Sequence, residues 1–222
     1  ISDKNIVITG TDVNHIRNVL RMAPGEEVTV SDGQGMDYFC KIAELTKEEV
    51  RLDIIDSWHS FVELPAKIYL FQGLPKADKM ELIIQKAVEL GVYEIVPVAT
   101  KRAVVKLDAK KEEKKRLRWQ SIAESAAKQA GRALIPQVAP CMNFDKALRM
   151  CNGLDAALIP YEKAEGMQHA RDQVRALHGK HSIGIFIGPE GGFEESEIEA
   201  ARGAGAVPIT LGHRILRTET AG

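Results

Sequence analysis

The stretch Ser182-Ile-Gly-Ile-Phe-Ile-Gly-Pro-Glu-Gly-Gly-Phe193 decides how the C-terminal part of the chain folds. Its alternating isoleucines predict a buried strand, its glycines predict a tight turn, and residues 194–202 predict a helix that ends at two further glycines. Residues 207–211 predict another strand, which leads into Gly212-His-Arg-Ile-Leu-Arg-Thr-Glu-Thr220. Two unusual loops therefore follow strand ends on the same side of a parallel sheet, which is where open α/β sheets bind ligands.

The glycine-rich loop does not fit either common phosphate-binding pattern. No Gly-Lys-Ser/Thr follows it, and its glycine spacing differs from the dinucleotide fingerprint. Glu190 stands where a phosphate would need a cation, so it favours a ligand with positive charge or hydrogen-bond donors. The three glycines allow backbone to approach such a ligand closely. Taken alone, the loop is equally consistent with a tight connection whose glycines serve only the turn.

Both loops resemble those of the RsmE family, bacterial 16S ribosomal RNA (uracil-N3)-methyltransferases of the SPOUT superfamily. Ile187-Gly-Pro-Glu-Gly-Gly-Phe193 and Leu211-Gly-His-Arg-Ile-Leu-Arg-Thr-Glu-Thr-Ala221 match the family pattern nearly residue for residue. The resemblance implies an α/β SPOUT domain with a mainly parallel sheet and a trefoil knot. Its loops would hold S-adenosylmethionine together with a third loop after an earlier strand. General rules of chain topology argue against a knot, so this feature is implied by the resemblance alone.

The resemblance also assigns candidate roles to residues of the three loops. Methylation at N3 needs a base for a weakly acidic proton, or stabilisation of the uracil anion. We expect Glu219 to act as the base and Arg217 to stabilise charge on the uracil oxygens, with Arg214 as a weaker candidate for the same task. Glu190 or Glu219 would favour the sulfonium. Lys79 and Gln85 are further candidates. The residues expected to contact the cofactor are Ile159, Pro160, Tyr161, Gly188, Pro189, Glu190, Gly191, Gly192, Leu211, Gly212, Ile215 and Leu216.

Composition limits the remaining possibilities. The net charge is −1, so any nucleic-acid partner must bind a local basic patch. Cys40, Cys141 and Cys151 are odd in number and widely spaced, which argues against a disulfide framework or a structural zinc site and fits a reducing cytoplasm. No apolar run is long enough to span a bilayer. Because the chain starts at Ile1 without a methionine and ends inside the second motif, we expect a shortened form.

The N-terminal part predicts a small β-barrel. Residues 12–22 predict a helix that places Arg17 and Arg21 on one face with His15 beside them, where they could bind RNA phosphates. Alternating apolar residues between Glu26 and Asp56 predict three short strands. This pattern is similar to the PUA-like domain of the family. We therefore divide the chain into a PUA-like RNA-binding domain at 1–64 and a SPOUT methyltransferase domain at 65–222, with a linker at 57–65.

Residues 66 onward alternate strands with helices, which favours a parallel α/β sheet. One helix is predicted from Lys76 to Leu90. Residues 101–118 include nine cationic and only three acidic residues, and this local excess of positive charge is typical of an RNA-binding surface. Here the expected RNA contacts are Lys101, Arg102 and Lys106, with Arg132 further along.

Two other functions remain open from the sequence. An RNA-binding protein without catalysis would use the barrel and the basic run equally well but leaves the two C-terminal loops unexplained. A SPOUT methyltransferase with a different RNA target would share the knot. The resemblance itself implies 16S ribosomal RNA as the partner, within the small ribosomal subunit, and a cytoplasmic homodimer.

Overall fold

Two units with separate hydrophobic cores form the chain in the computed structural model. The structure describes residues 4–103, 109–164 and 166–222. The first unit extends to Glu63 and also includes Arg132–Leu134, and the second unit contains the other residues from Leu64 onward. None of the helices in these described ranges is long and apolar enough to cross a membrane.

A four-stranded antiparallel sheet forms the first unit, in the order β1-β4-β3-β2. Its core contains Ile6, Cys40, Ile42, Val50 and Leu52, because alternate residues of each strand face the same side. Strand β1 was not predicted, and β4 continues through the start of the segment predicted as a linker, so that prediction is wrong for residues 57–59. The strands are β1 (Asn5–Thr9), β2 (Glu27–Ser31), β3 (Met36–Leu45) and β4 (Glu49–His59).

The helical segment between β1 and β2 differs from the predicted helix at 12–22. It consists of α1 (Thr11–Asn14) followed by a π-helical turn over His15–Val19, in which the Leu20 N–H donates to the His15 carbonyl at 2.9 Å. Arg21 lies beyond this turn with φ 56°, a left-handed conformation that ends a helix. The prediction that Arg17 and Arg21 share one helix face is therefore wrong.

A parallel sheet with the order β11-β9-β10-β5-β6-β7 forms the second unit, and β8 also pairs with β6. The strands are β5 (Lys67–Gly73), β6 (Glu94–Ala99), β7 (Gln137–Val138), β8 (Met142–Asn143), β9 (Ala156–Pro160), β10 (Ser182–Ile187) and β11 (Val207–Ile209). The helices are α2 (Lys79–Glu89), α3 (Ala109–Gln129), α4 (Phe144–Cys151), α5 (Met167–Arg175), α6 (Glu195–Gly203) and α7 (Thr218–Ala221). Helix α5 and the two-residue strands were not predicted.

Helices cover both faces of this sheet. Neighbouring residues of a strand point to opposite faces, so each strand contributes side chains to both cores. Leu70 packs with residues of α2 and α3 on one face. On the other face Phe71 packs with residues of α4 and α6. Its ring stacks on that of Phe186, with centroids 4.4 Å apart, since the two residues are directly paired in β5 and β10. This doubly covered parallel sheet is the predicted α/β architecture.

Helix α2 begins later than predicted. Ala77 has φ 53°, which interrupts a helix before Lys79, and Leu90, the last residue of the predicted helix, lies largely exposed after the last helical residue. The helix stops where expected, since Gly91 has φ 98°, a conformation that favours glycine. Helix α6 also follows the prediction: Glu194 and Glu197 form a capping box at its start.

The chain turns back after β11, which is the edge strand of the sheet. Instead of continuing outward it passes the ends of β9 and β10, and α7 then packs against α2. Ala221 joins the cluster between the sheet and α2. The loops after β9, β10 and β11 consequently meet at one edge of the sheet.

Candidate functional site

A cavity of about 810 Å³ lies at the carboxyl ends of β9, β10 and β11. Its walls come from residues 160–164 and 166–167 and from the loops at 187–193 and 210–218, with Lys79 and Arg102 at the side. All of these residues belong to the second unit. The volume is in the range of small-molecule sites, and the location is the one at which open α/β sheets bind ligands.

The structure gathers eleven of the twelve residues predicted to contact a cofactor around this cavity. Ile159 is the exception, because its side chain is fully buried in the core below the sheet. Its side chain therefore cannot contact a cofactor, and only its backbone, which directly precedes the lining residue Pro160, remains a candidate. The eleven lining residues are Pro160, Tyr161, Gly188, Pro189, Glu190, Gly191, Gly192, Leu211, Gly212, Ile215 and Leu216.

The glycine-rich loop is tightly folded against the strand ends. A Cβ on Gly188 would lie 3.0 Å from the Gly192 Cα, and a Cβ on Gly73 would lie 2.6 Å from the Pro189 Cδ. The Gly192 N–H donates to the Pro189 carbonyl at 2.8 Å and closes the turn. Gly188 thus serves the turn itself as well as the approach of backbone to the cavity.

Glu190 already has a cationic partner in this loop. Its Oε1 lies 3.0 Å from the Lys79 Nζ, and its carboxylate accepts from the Lys76 N–H at 3.1 and 3.3 Å. Although burial acts to raise the pKa of Glu190, the hydrogen bonds from its own backbone N–H and from Lys79 hold that pKa below its ordinary value. The same hydrogen bond to Glu190, opposed by burial, raises the pKa of Lys79. Because Lys79 compensates the charge, Glu190 is a weaker partner for a sulfonium than the sequence suggested.

The two predicted catalytic residues, Arg217 and Glu219, directly precede and follow Thr218 in the sequence. The Arg217 side chain lines the cavity and is 81% exposed. The Glu219 side chain is 14% exposed, with Oε1 3.9 Å from the Arg217 Nη1 and Oε2 3.4 Å from the Lys79 Nζ. Within the described residues that Oε2 has an ion-pair neighbour but no hydrogen bond of good geometry. Lys79 therefore bridges Glu190 and Glu219.

Sequence reasoning missed two polar residues, one in the wall of the cavity and one behind that wall. Gln72 is buried at the end of β5, and it donates to the hydroxyl of Thr218, which lines the cavity. The available signal was a polar residue directly after the apolar strand residues Ile68-Tyr-Leu-Phe71. Of the two further candidates, Lys79 lines the cavity, whereas Gln85 is exposed on α2 and does not.

The predicted RNA contacts of the first unit have different environments. His15 and Arg17 are exposed on the π-helical turn, and Arg21 is exposed after it. Arg132 is only 5% exposed, and its guanidinium pairs with the Glu63 carboxylate. That carboxylate also accepts from the Ala133 and Leu134 N–H groups at 3.0 Å. A buried, paired guanidinium is not available to RNA in this structure, so Arg132 departs from the prediction.

The predicted RNA contacts of the second unit lie next to the glycine-rich loop. Arg102 lines the cavity, and its Nη1 donates to the Gly191 carbonyl at 2.8 Å. Lys101 is exposed beside α6, with its Nζ 2.8 Å from the Ser196 Oγ and 3.7 Å from a Glu194 oxygen. Lys106 lies outside the described residues.

Two further cations of the basic run at 101–118 form ion pairs with carboxylates, one of them outside the run. Arg116 forms an ion pair with Glu113 at 2.7 Å, and Arg118 forms one with Glu81 of α2 at 2.7 Å. The cations of α3 that remain exposed include Lys110 and Lys114. Both belong to the first turns of that helix.

Comparison with known proteins agrees with both parts of this description. Residues 62–222 match a family model described as RNA methyltransferase domain, and residues 8–55 match one described as RNA methyltransferase PUA domain. The Ribosomal RNA small subunit methyltransferase E of Bacillus subtilis (strain 168) is 40% identical over 217 residues, which cover 96% of this chain and 85% of the relative. This chain belongs to the RsmE family.

Two solved structures similar to this RsmE family member are described as bound to S-adenosylmethionine. One is a Ribosomal RNA small subunit methyltransferase E from Neisseria gonorrhoeae, 34% identical with a TM-score of 0.85, covering 100% of this chain and 89% of that one. The other is a putative methyltransferase from Legionella pneumophila, 32% identical with a TM-score of 0.80, covering 98% of this chain and 87% of that one. The predicted fold class, a SPOUT domain preceded by a PUA-like domain, is confirmed.

Proposed function

We propose that this RsmE family member transfers a methyl group from S-adenosylmethionine to N3 of a uridine in 16S ribosomal RNA. The cavity carries the proposal: three loops at the ends of parallel strands surround it, Arg217 belongs to one of them, and Glu219 directly follows that loop. The printed names of the relatives, and the cofactor in two similar structures, support the same reaction.

S-adenosylmethionine fits the cavity in size and in chemistry. A volume of about 810 Å³ is enough for a molecule of this kind. Glycines at 188, 191, 192 and 212 bring backbone N–H and C=O groups to the wall, while Ile215 and Leu216 offer apolar surface to an adenine ring. When bound, the cofactor supplies an electrophilic methyl group on a sulfonium sulfur.

Arg217 and Glu219 are suited to the uracil side of the reaction. As the bond from N3 to the methyl carbon forms and the bond from that carbon to sulfur breaks, the N3 proton must leave, and the Glu219 carboxylate accepts it. The exposed Arg217 guanidinium stabilises the negative charge that develops on the uracil oxygens. Lys79 fixes Glu219 from the side of α2.

The remaining parts of the proposal concern RNA and assembly. We propose residues 1–64 as a PUA-like RNA-binding domain and residues 65–222 as the methyltransferase domain. RNA contacts in the first unit are supported by the exposed side chains of His15 and Arg17. RNA contacts in the second unit are supported by the exposed lysines at the start of α3. We further propose that the protein acts as a cytoplasmic homodimer on 16S ribosomal RNA within the small ribosomal subunit.

The decisive experiment measures binding and transfer separately. Calorimetric titration should show binding of S-adenosylmethionine and S-adenosylhomocysteine but not of ATP. Incubation with labelled cofactor and small ribosomal subunits from a strain that lacks this activity should yield 3-methyluridine in the digested 16S RNA. Cofactor binding with methylation of another RNA would identify a different target. A folded protein that binds RNA but neither cofactor form would instead be a non-catalytic RNA-binding protein.

Variants test the two catalytic assignments. Arg217→Ala and Glu219→Gln should each lower the rate of methyl transfer about 100-fold or more while cofactor binding stays near the wild-type value. Glu199→Gln, on the exposed face of α6, is the matched control and should keep the wild-type rate. Wild-type rates in both Arg217→Ala and Glu219→Gln would remove these assignments.

A further inference from the structure

Gln72 is a fully buried polar side chain that directly follows the apolar residues of its strand. It lies at the end of β5, paired with Ile187 of β10 and with Pro97 of β6. It faces the same side of the sheet as Leu70, which packs in the cluster against α2 and α3. Its exposed fraction is 0%, and it is not among the residues that line the cavity, so it contacts neither solvent nor a ligand there.

A directed chain of hydrogen bonds starts at this side chain. The Gln72 Nε2 donates to the Thr218 Oγ1 at 3.0 Å, and the Thr218 Oγ1 donates to the Gly188 carbonyl at 2.7 Å. The second amide proton of Gln72 reaches the Gly73 carbonyl at 3.0 Å. An amide nitrogen can only donate, so the hydroxyl must accept from Gln72, and its single proton is left for Gly188. The donor and the acceptor of each of these hydrogen bonds are thereby fixed.

The other half of the amide is unsatisfied. Within the described part of the chain the Gln72 Oε1 has no hydrogen-bond partner, although it is buried. A buried acceptor without a partner destabilises a fold, and an apolar residue of equal size would avoid that cost. The stability of the core therefore does not explain why a glutamine occupies this position. Its measurable consequence is the placement of Thr218.

Thr218 connects the parts of the proposed reaction. It is the first residue of α7, and its neighbours in the chain are Arg217 and Glu219. Its hydroxyl holds this helix start to Gly188, the first residue of the glycine-rich loop. Any movement of Thr218 would therefore displace both proposed catalytic side chains relative to the cavity.

We propose that Gln72 is a positioning residue for methyl transfer, because its amide locks the Thr218 hydroxyl onto Gly188. It thereby fixes Arg217, which lines the cavity, and Glu219, which lies next to the lining residue Lys79. This inference rests on the proposed function. It places the control of catalytic geometry in a side chain that touches neither substrate nor cofactor. An error of about 1 Å in such geometry can lower a rate by about 100-fold, so a buried amide can have a large kinetic effect.

Replacement by an apolar side chain of similar length tests the inference. Gln72→Met should lower kcat by at least about tenfold, while KM for S-adenosylmethionine changes by less than about threefold and the melting temperature stays equal or rises. In the free protein, amide exchange at Thr220 and Ala221, whose N–H groups donate to the Arg217 carbonyl, should become faster. This last measurement needs neither cofactor nor RNA.

Variants of Thr218 separate positioning from general packing. Thr218→Ser keeps the hydroxyl and should retain most of the wild-type kcat, whereas Thr218→Val removes it at nearly the same volume and should match Gln72→Met. The double variant should be no slower than the slower single variant, because both substitutions break the same chain.

Gln120→Met is the control for loss of a structural amide in the same unit. Gln120 donates to the Pro136 carbonyl at 3.2 Å and accepts from the Val138 N–H at 2.9 Å, and it does not line the cavity. Its replacement should lower the melting temperature and leave kcat unchanged at an assay temperature well below melting.

Each result has one reading. Suppose that the wild-type protein is active and that Gln72→Met has the same kcat and the same amide exchange rates as wild type. This result overturns the inference and leaves the proposed function intact. A fall in kcat that parallels a fall in melting temperature, as in a merely structural residue, also overturns it. Wild-type protein without methyl transfer overturns the proposed function and this inference with it.

Discussion

Arg132 shows how a single residue can change its interpretation once its partner is known. The sequence offered a cation after a helix, next to a basic run, and predicted an RNA contact. In the structure Arg132 and Glu63 are both largely buried, and the carboxylate also holds two backbone N–H groups of the same short segment. The pair therefore fastens Arg132–Leu134 to the end of the first unit.

Glu63→Gln should destabilise the first unit by about 3 kcal/mol, because it leaves the buried Arg132 charge without its counter-charge. Urea unfolding followed by the fluorescence of Trp58, the tryptophan of that unit, measures the change. Glu48→Gln, at an exposed site of the same unit, should stay close to wild type. Unchanged stability in Glu63→Gln would return Arg132 to the candidate RNA contacts.

The sequence predicted the positions of the site better than the partners of its side chains. Gly188 and Leu216 lie at the cavity because motif spacing places whole loops at strand ends. Ile159 does not line it, since alternation along a strand turns that side chain into the core. The ion pair of Glu190 with Lys79 and the burial of Gln72 depend on residues more than a hundred positions away, which local patterns do not encode.

At the scale of elements, Asp155 joins the starts of two parallel strands. It lies just before β9, and its Oδ2 accepts from the His181 and Ser182 N–H groups at 2.8 and 2.9 Å at the start of β10. The backbone hydrogen bonds from His181 and then from Ser182 lower the pKa of Asp155, because they favour the ionised carboxylate. A carboxyl group with a lowered folded-state pKa contributes stability above its unfolded pKa and loses it as pH falls through the folded value.

Asp155→Asn should therefore lower the melting temperature by a constant amount at pH 5 to 7. The difference from wild type should shrink below about pH 4, where the wild-type carboxyl group becomes protonated. Melting curves across this range measure the effect. Asp172→Asn, in an exposed ion pair of α5, is the control and should change little at any pH. A difference that stays the same down to pH 2 would show that the charge of Asp155 has no part in joining the strands.

Whole elements were predictable where apolar alternation or flanking glycines marked them. Strand β10 follows from apolar alternation, and helix α6 follows from its position between the glycine-rich turn and the glycines at 203 and 205. The segment at 12–22 was not predictable in this way, because periodicity does not distinguish a short α-helix from a π-helical turn that ends before Arg21. Strands of two residues, such as β7, are too short to show any alternation.

At the scale of the molecule, separate cores in two units suggest separate unfolding transitions. The chain has two tryptophans, and each unit contains one: Trp58 lies in β4, and Trp119 is buried in α3. Every residue of the cavity belongs to the second unit. A ligand that binds the native cavity stabilises the unit that forms it, so the two tryptophans should report different responses.

S-adenosylhomocysteine at about 100 times its Kd should stabilise the second unit by about 2.7 kcal/mol, which corresponds to a rise of roughly 5–11 °C in its melting temperature. The single-tryptophan variants Trp58→Phe and Trp119→Phe allow each unit to be followed alone. The rise should appear in Trp58→Phe, in which Trp119 reports, and be absent from Trp119→Phe. ATP at the same concentration is the control and should shift neither transition. Equal shifts in both variants would mean that the units unfold as one, and the cavity ligand would then stabilise the first unit as well.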